Sequence, residues 1–148
     1  MHNLPPMRPG NSLTWILRGV CAAAVLFALG ATPGCGSETD DRPATWAYIY
    51  PAIIQPSCAT ASCHSDFTRI AGVNFGYEDE GYYQLACRHF IAPSSPGDSE
   101  VLHLMRAQGA QRMPPDFALP EADIALISTW IAGGAHDQND TAPSTVCQ

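Results

Sequence analysis

The sequence predicts an all-α domain made of a few short helices joined by long loops. Two stretches carry apolar residues three and four apart, as one buried helix face requires. No stretch of any length alternates apolar and polar residues as a half-buried strand does. The segments between are rich in Gly, Pro, Ser, Asn and Asp, and they contain neither an internal repeat nor a low-complexity tract.

The chain has 148 residues, room for one small domain, and its first third stands apart from that domain. Arg8 and Arg18 precede an uncharged run from Gly19 to Ala31, rich in Ala, Val and Leu. At 13 residues the run is shorter than the roughly 20 needed to span a bilayer. With positive charge before it and small residues after it, the run fits the apolar core of a secretory signal, so residues 1–34 are expected to direct export. A membrane anchor beginning at Trp15 is the alternative, but it would enclose Arg18. Thr32-Pro33-Gly34-Cys35 is similar to a lipoprotein box, in which Cys35 is lipidated and becomes the new N-terminus. Thr32 and Pro33 depart from that pattern, and ordinary cleavage after Gly30 competes. Cysteine parity favours the lipid: of five cysteines after the apolar run, giving Cys35 to a lipid leaves four that can all be used in an oxidising compartment.

Residues 35–43 read as an acidic, flexible tether, because Gly36 to Pro43 has no apolar residue. The folded domain is expected over residues 44–148. Trp46, Ile49, Tyr50, Ile53 and Ile54 predict its first helix, with Pro51 bending or dividing it and Pro56 ending it. Ser65 to Gly81 has no period and reads as a long loop; Tyr82, Tyr83, Leu85 and Ala86 then suggest a short helix ending near Cys87. Ser94 to Asp98 is a turn, after which Asp98 or Ser99 is placed to cap a helix carrying Val101, Leu102 and Met105. The best-defined helix comes last. Pro120 suits its first turn, and Glu121 and Asp123 complement its positive end. Ile124, Ile127 and Ile131, with Leu126 and Trp130 beside them, form its apolar face, and Gly133-Gly134 stops it.

From Gly36 onward, 14 acidic residues face five arginines and no lysine, a formal charge of −9. Such a surface repels nucleic acid and anionic lipid, which argues against both as partners, and it can steer encounter with a basic docking face. A self-repelling soluble surface with no specific partner is the plainer alternative.

Cys58-Ala59-Thr60-Ala61-Ser62-Cys63-His64 is the stretch richest in chemistry. Two thiols with a histidine directly after the second are what covalent haem attachment requires. The thiols add across two vinyl groups at one edge of the porphyrin, and the adjacent imidazole is held under the ring to bind iron. The usual spacing is C-x₂-C-H, whereas here four residues separate the cysteines. A short Cys58–Cys63 disulfide is the alternative in an exported protein. A domain near 105 residues with so few helical turns has a thin core, which a buried macrocycle would help to fill.

Further pieces follow in order: Ile53-Ile54-Gln55-Pro56-Ser57-Cys58 before the motif, then Pro96-Gly97-Asp98-Ser99-Glu100-Val101-Leu102, Arg112-Met113-Pro114-Pro115 and Trp130-Ile131-Ala132-Gly133-Gly134-Ala135. With them, the chain from about Trp46 to His136 resembles the small monohaem c-type cytochrome domains of exported bacterial proteins. The longer gap between the cysteines is its departure from them. The resemblance implies a cytochrome c-like small helical domain with long loops around one covalently bound haem c. Cys58 and Cys63 would form the thioethers, His64 would be the proximal iron ligand and Met113 the distal one. A neutral, soft thioether favours ferrous iron and raises the reduction potential relative to a second histidine. Pro114 and Pro115 restrict the backbone and could hold that loop against the ring. Met105, His103 and His89 are reserve ligands. With the haem taking two cysteines, Cys87 and Cys147 are left to form a disulfide joining the middle of the domain to its tail.

The activity implied is one-electron transfer, in which no substrate bond is made or broken, so the protein is read as a carrier and not an enzyme. Its partners would be redox proteins of the cell envelope. Its location would be periplasmic, held to the membrane only through lipid on Cys35. Two other readings stay open at this point. One is a haem enzyme or sensor with an open distal position; the other is a non-haem envelope lipoprotein stapled by Cys58–Cys63 and Cys87–Cys147 that serves as a binding module. A zinc site built from Cys58, Cys63, His64 and a remote histidine has little support, and Glu78-Asp79-Glu80 reads as a solvated loop before it reads as a cation site. Trp130 is either a ring-edge residue of a haem pocket or ordinary core.

Overall fold

The computed structural model describes residues 40–148, all within one compact unit, Asp40–Gln148. The expected export signal and Cys35 lie outside the described residues. Among the described residues the architecture is all-α, with no strand. The end of the tether is docked onto the domain: Arg42 donates to Asp40 and to Asp123, the latter on the last long helix.

The first helix, α1, is continuous from Trp46 to Cys58 but changes register within itself. It is α-helical over Trp46–Ile49, π-helical over Tyr50–Ile54 and α-helical again over Gln55–Cys58. Pro51 therefore does not divide it, and Pro56 does not end it. In an unbroken α register the Pro56 ring would crowd the carbonyl four residues back. The π turn, in which the Gln55 N–H reaches back to the Tyr50 carbonyl, widens the coil where the two prolines interrupt its hydrogen bonds.

Helix α2 spans Glu78–Cys87, so it begins inside the stretch Ser65 to Gly81 expected as a loop. Glu78, Asp79 and Glu80 form its first turn, where carboxylates complement the positive end of the helix dipole. Helix α3 covers Glu100–Arg106 after a 3₁₀ turn at Pro96–Asp98. Ser99 stands at its N-cap position, but its buried hydroxyl does not cap the helix; it accepts the Ala92 N–H at 3.0 Å, tying down the preceding loop. Helix α4 runs Glu121–Ala132 with Pro120 just before its first turn and Gly133 at its C-cap. Gly134, at φ +106°, turns the chain back under the helix, as a residue without a Cβ does most readily. A short helix that sequence reading did not anticipate, α5 at Pro143–Val146, packs on α2. Cys87 and Cys147 are joined there as a disulfide spanning 60 positions.

The core is densest where α1, α2 and α4 meet. Trp46 and Trp130 stack at 5.2 Å between ring centroids, with Tyr50 tilted against Trp46 and Tyr82 edge-on to both indoles. Gly81 lets α2 approach closely, since a Cβ there would lie 3.4 Å from ring atoms of both Phe75 and Tyr50. The Tyr82 hydroxyl bonds to the carbonyls of Ala135 and Thr141, and Trp130 Nε1 donates to the His136 carbonyl at 2.9 Å. These bonds fasten the loop after α4 to the aromatic cluster. Trp130 is thus ordinary core.

Candidate functional site

On another part of the domain, helices and loops line an apolar cleft of about 180 Å³. Ile54 and Cys58 at the end of α1, Val73 and Phe75 from the following loop, Leu85 of α2, and Leu104 and Met105 of α3 contribute to its wall, together with His64 and Met113. An adjoining lobe of about 80 Å³ is lined by Ser57, Cys58, Cys63, His64, Ile70 and the Met113-Pro114-Pro115 segment. Cys58, His64 and Met113 belong to both lobes, and no carboxylate, arginine or lysine lines either.

The loop chemistry explains how His64 returns to Cys58 across the longer gap. The His64 N–H donates to the Cys58 carbonyl at 3.1 Å, closing the motif into one turn, with Cys63 N–H bonded to Thr60. Ser65 and Thr68 brace the two additional residues, both hydroxyls donating to the Ala61 carbonyl. His64 is also pinned from its other side: the Phe75 N–H donates to its carbonyl at 2.7 Å, and the Phe75 ring meets the imidazole edge-on. Its Nδ1 is bonded to the Ile70 carbonyl at 3.0 Å. A carbonyl can only accept, so Nδ1 carries the proton, which leaves Nε2 of a neutral ring with its lone pair available to a metal. The backbone that presents this carbonyl is unusual, with positive φ at Arg69, Ala71 and Gly72 around the turn Ile70–Gly72. Arg88 holds the turn from outside through the carbonyls of Ala71 and Gly72.

Cys58 and Cys63 are free thiols and are not bonded to one another. Burial pushes the Cys58 thiol up to about 12, with Cys63 adding to the rise, so it is protonated at neutral pH. Met113 is half-buried; its N–H donates to the Leu104 carbonyl at 3.0 Å, and its peptide bond to Pro114 is cis. Of the reserve ligands, Met105 is buried and lines the larger lobe, while His103 and His89 are exposed and line neither. Trp130 lies outside the cleft as well. Among the described residues no three His, Cys, Asp or Glu side chains converge to hold a metal ion.

Sequence reading had singled out Cys58, Cys63, His64 and Met113, and these four share the smaller lobe. It missed the Ile70 carbonyl, the Phe75 ring, and the Ser65 and Thr68 braces. Backbone carbonyls leave no mark in a sequence, but a serine and a threonine just beyond Cys63-His64 were a readable signal for a braced turn. No protein-family model, curated protein or solved structure matches this chain.

Proposed function

We propose that this protein is an exported c-type cytochrome that carries single electrons in the cell envelope. The observation that carries this reading is that Cys58, Cys63, His64 and Met113 all line one lobe of an apolar cleft, with the His64 Nδ1 proton held by the Ile70 carbonyl so that Nε2 is free to bind a metal. The residues present fit a haem: the walls are apolar, as the macrocycle is, and the two thiols lie in the same lobe as the imidazole and the thioether.

Cys58 and Cys63 would hold the group through thioether bonds, His64 through Nε2 and Met113 through its sulfur. Bound there, haem would supply a ferrous/ferric couple that passes one electron without making or breaking a substrate bond. The chain's own part is to exclude water with Ile54, Val73, Phe75 and Leu104, and to orient the imidazole through Ile70. A neutral thioether raises the potential relative to a second imidazole. Its acidic surface suits partners with a basic docking face. Export through residues 1–34 and anchoring through lipid on Cys35 complete the proposal.

The test is protein matured in a host competent for cytochrome assembly. The expected result is a sharp reduced α band, haem retained after acid–acetone extraction, and an intact mass increased by one haem. Colourless protein with Cys58 and Cys63 unmodified or joined to each other would overturn the reading. Carbon monoxide binding to the reduced form at neutral pH would instead identify an open iron position.

A further inference from the structure

Five arginines stand against 13 carboxylates among the described residues, yet two of the five meet no carboxylate. Arg88 is one and Arg112 the other. Arg112 turns its guanidinium onto the backbone just ahead of it, Nε donating to the Pro114 carbonyl at 3.3 Å and Nη2 to the Pro115 carbonyl at 3.2 Å. The segment it grips lines the smaller lobe of the cleft, with Met113 beside it. Prolines have no N–H, so Met113-Pro114-Pro115 can anchor itself by only one backbone donor, the Met113 N–H bonded to Leu104. The planar fork of Arg112 supplies the donors this segment lacks.

We propose that Arg112 is the positioning residue of the Met113 side of the site: by holding the carbonyls of Pro114 and Pro115, it fixes where the Met113 thioether is presented. The inference rests on the cytochrome reading for its consequence at iron, but its structural half does not. With the fork in place, the thioether is held against competitors for the iron; with it removed, the loop opens and an external ligand displaces the sulfur more readily.

The experiment compares wild type, Arg112→Gln and Arg112→Lys. In ferric, haem-loaded protein, Arg112→Gln is expected to weaken the far-red sulfur-to-iron charge-transfer band. It should also tighten imidazole binding roughly tenfold, the scale set by loss of about one charge-assisted hydrogen bond. Arg112→Lys keeps the charge but not the fork and should fall close to the Gln variant. Full rescue by Lys, or an unchanged imidazole affinity in Arg112→Gln, would overturn the proposal. A second readout needs no haem: in the haem-free full chain, exchange of the Met113 amide proton should speed up roughly tenfold in Arg112→Gln. Unchanged exchange there would overturn the positioning role by itself. Absence of haem from matured wild type would sink the cytochrome reading and leave the exchange measurement to decide on Arg112.

Discussion

The domain has two regions built on opposite terms. Where α1, α2 and α4 meet, four aromatic rings fill the space between helices with one another. The polar tips of Trp130 and Tyr82 are spent on carbonyls of the loop that follows α4. Trp46 Nε1 is the exception there, buried without an acceptor. The cleft is instead walled by loops together with residues of α1, α2 and α3, and its apolar side chains border open space on one side and the core on the other. Its heteroatoms are sulfur and imidazole, held by bonds from neighbouring backbone. The difference separates two tasks: the aromatic region supplies the rigidity, and the cleft borrows it to present sulfur and imidazole groups.

Exchanging large for small in each region breaks this comparison most directly. Trp130→Ala removes a buried indole from the centre of the aromatic cluster and is expected to cost about 3–5 kcal/mol in urea unfolding. His64→Ala in the haem-free chain removes one partly exposed hydrogen bond to Ile70 and should cost about 1 kcal/mol. In matured protein the same His64 substitution should nonetheless abolish the low-spin spectrum. Equal losses of stability from the two substitutions would mean that the division of tasks is wrong. Next in size is the staple between α2 and the tail. Replacing Cys87 and Cys147 together with serine should cost about 2–4 kcal/mol, while leaving haem attachment, read by intact mass, unchanged.

The two regions were unequally legible in the sequence. Trp46, Ile49, Ile53 and Ile54, and then Ile124, Ile127 and Ile131, announced their helices by spacing alone, because each presents one continuous face to the core. Pro56 of α1 was misread because the penalty for proline is stated for an α register, and the π turn changes what its ring meets. The start of α2 was misread for a different reason: three acidic residues look like a solvated loop unless the dipole of the helix they begin is already known. In the cleft, the residues bearing sulfur and imidazole were visible by type. Their support was not, since the Ile70 carbonyl and the left-handed backbone at Arg69 and Ala71 carry no side-chain signature. The short helix α5 packs through a disulfide and a few contacts and has too few residues to show a period.

A smaller change sharpens the account of the aromatic region. Tyr82→Phe keeps the ring against Trp46 and Trp130 but withdraws the hydroxyl from the carbonyls of Ala135 and Thr141. The expected cost is about 1–2 kcal/mol, with faster amide exchange confined to the loop after α4. A loss as large as that of Trp130→Ala would mean that the hydroxyl, and not the ring packing, holds the region together.

The gentlest effect lies in the cleft and appears only at alkaline pH. The Cys58 thiol, ordinarily near 9, is raised to about 12 in the folded chain, first by burial and then by Cys63. Below pH 9 the thiol is protonated whether the chain is folded or not, so its contribution to stability is fully present. As pH climbs from about 9 towards 12, the unfolded chain releases the proton while the folded chain keeps it, and stability falls. Tyr50 and Tyr82, also pushed up mainly by burial, tilt stability the same way, so the Cys58 share is the difference between wild type and Cys58→Ala. In haem-free protein, the urea midpoints of the two should run parallel from about pH 7 to 9 and then converge or cross, wild type falling faster. Parallel midpoints through pH 11 would mean that water reaches the Cys58 sulfur, and that the cleft does not bury the thiol proposed to bond the macrocycle.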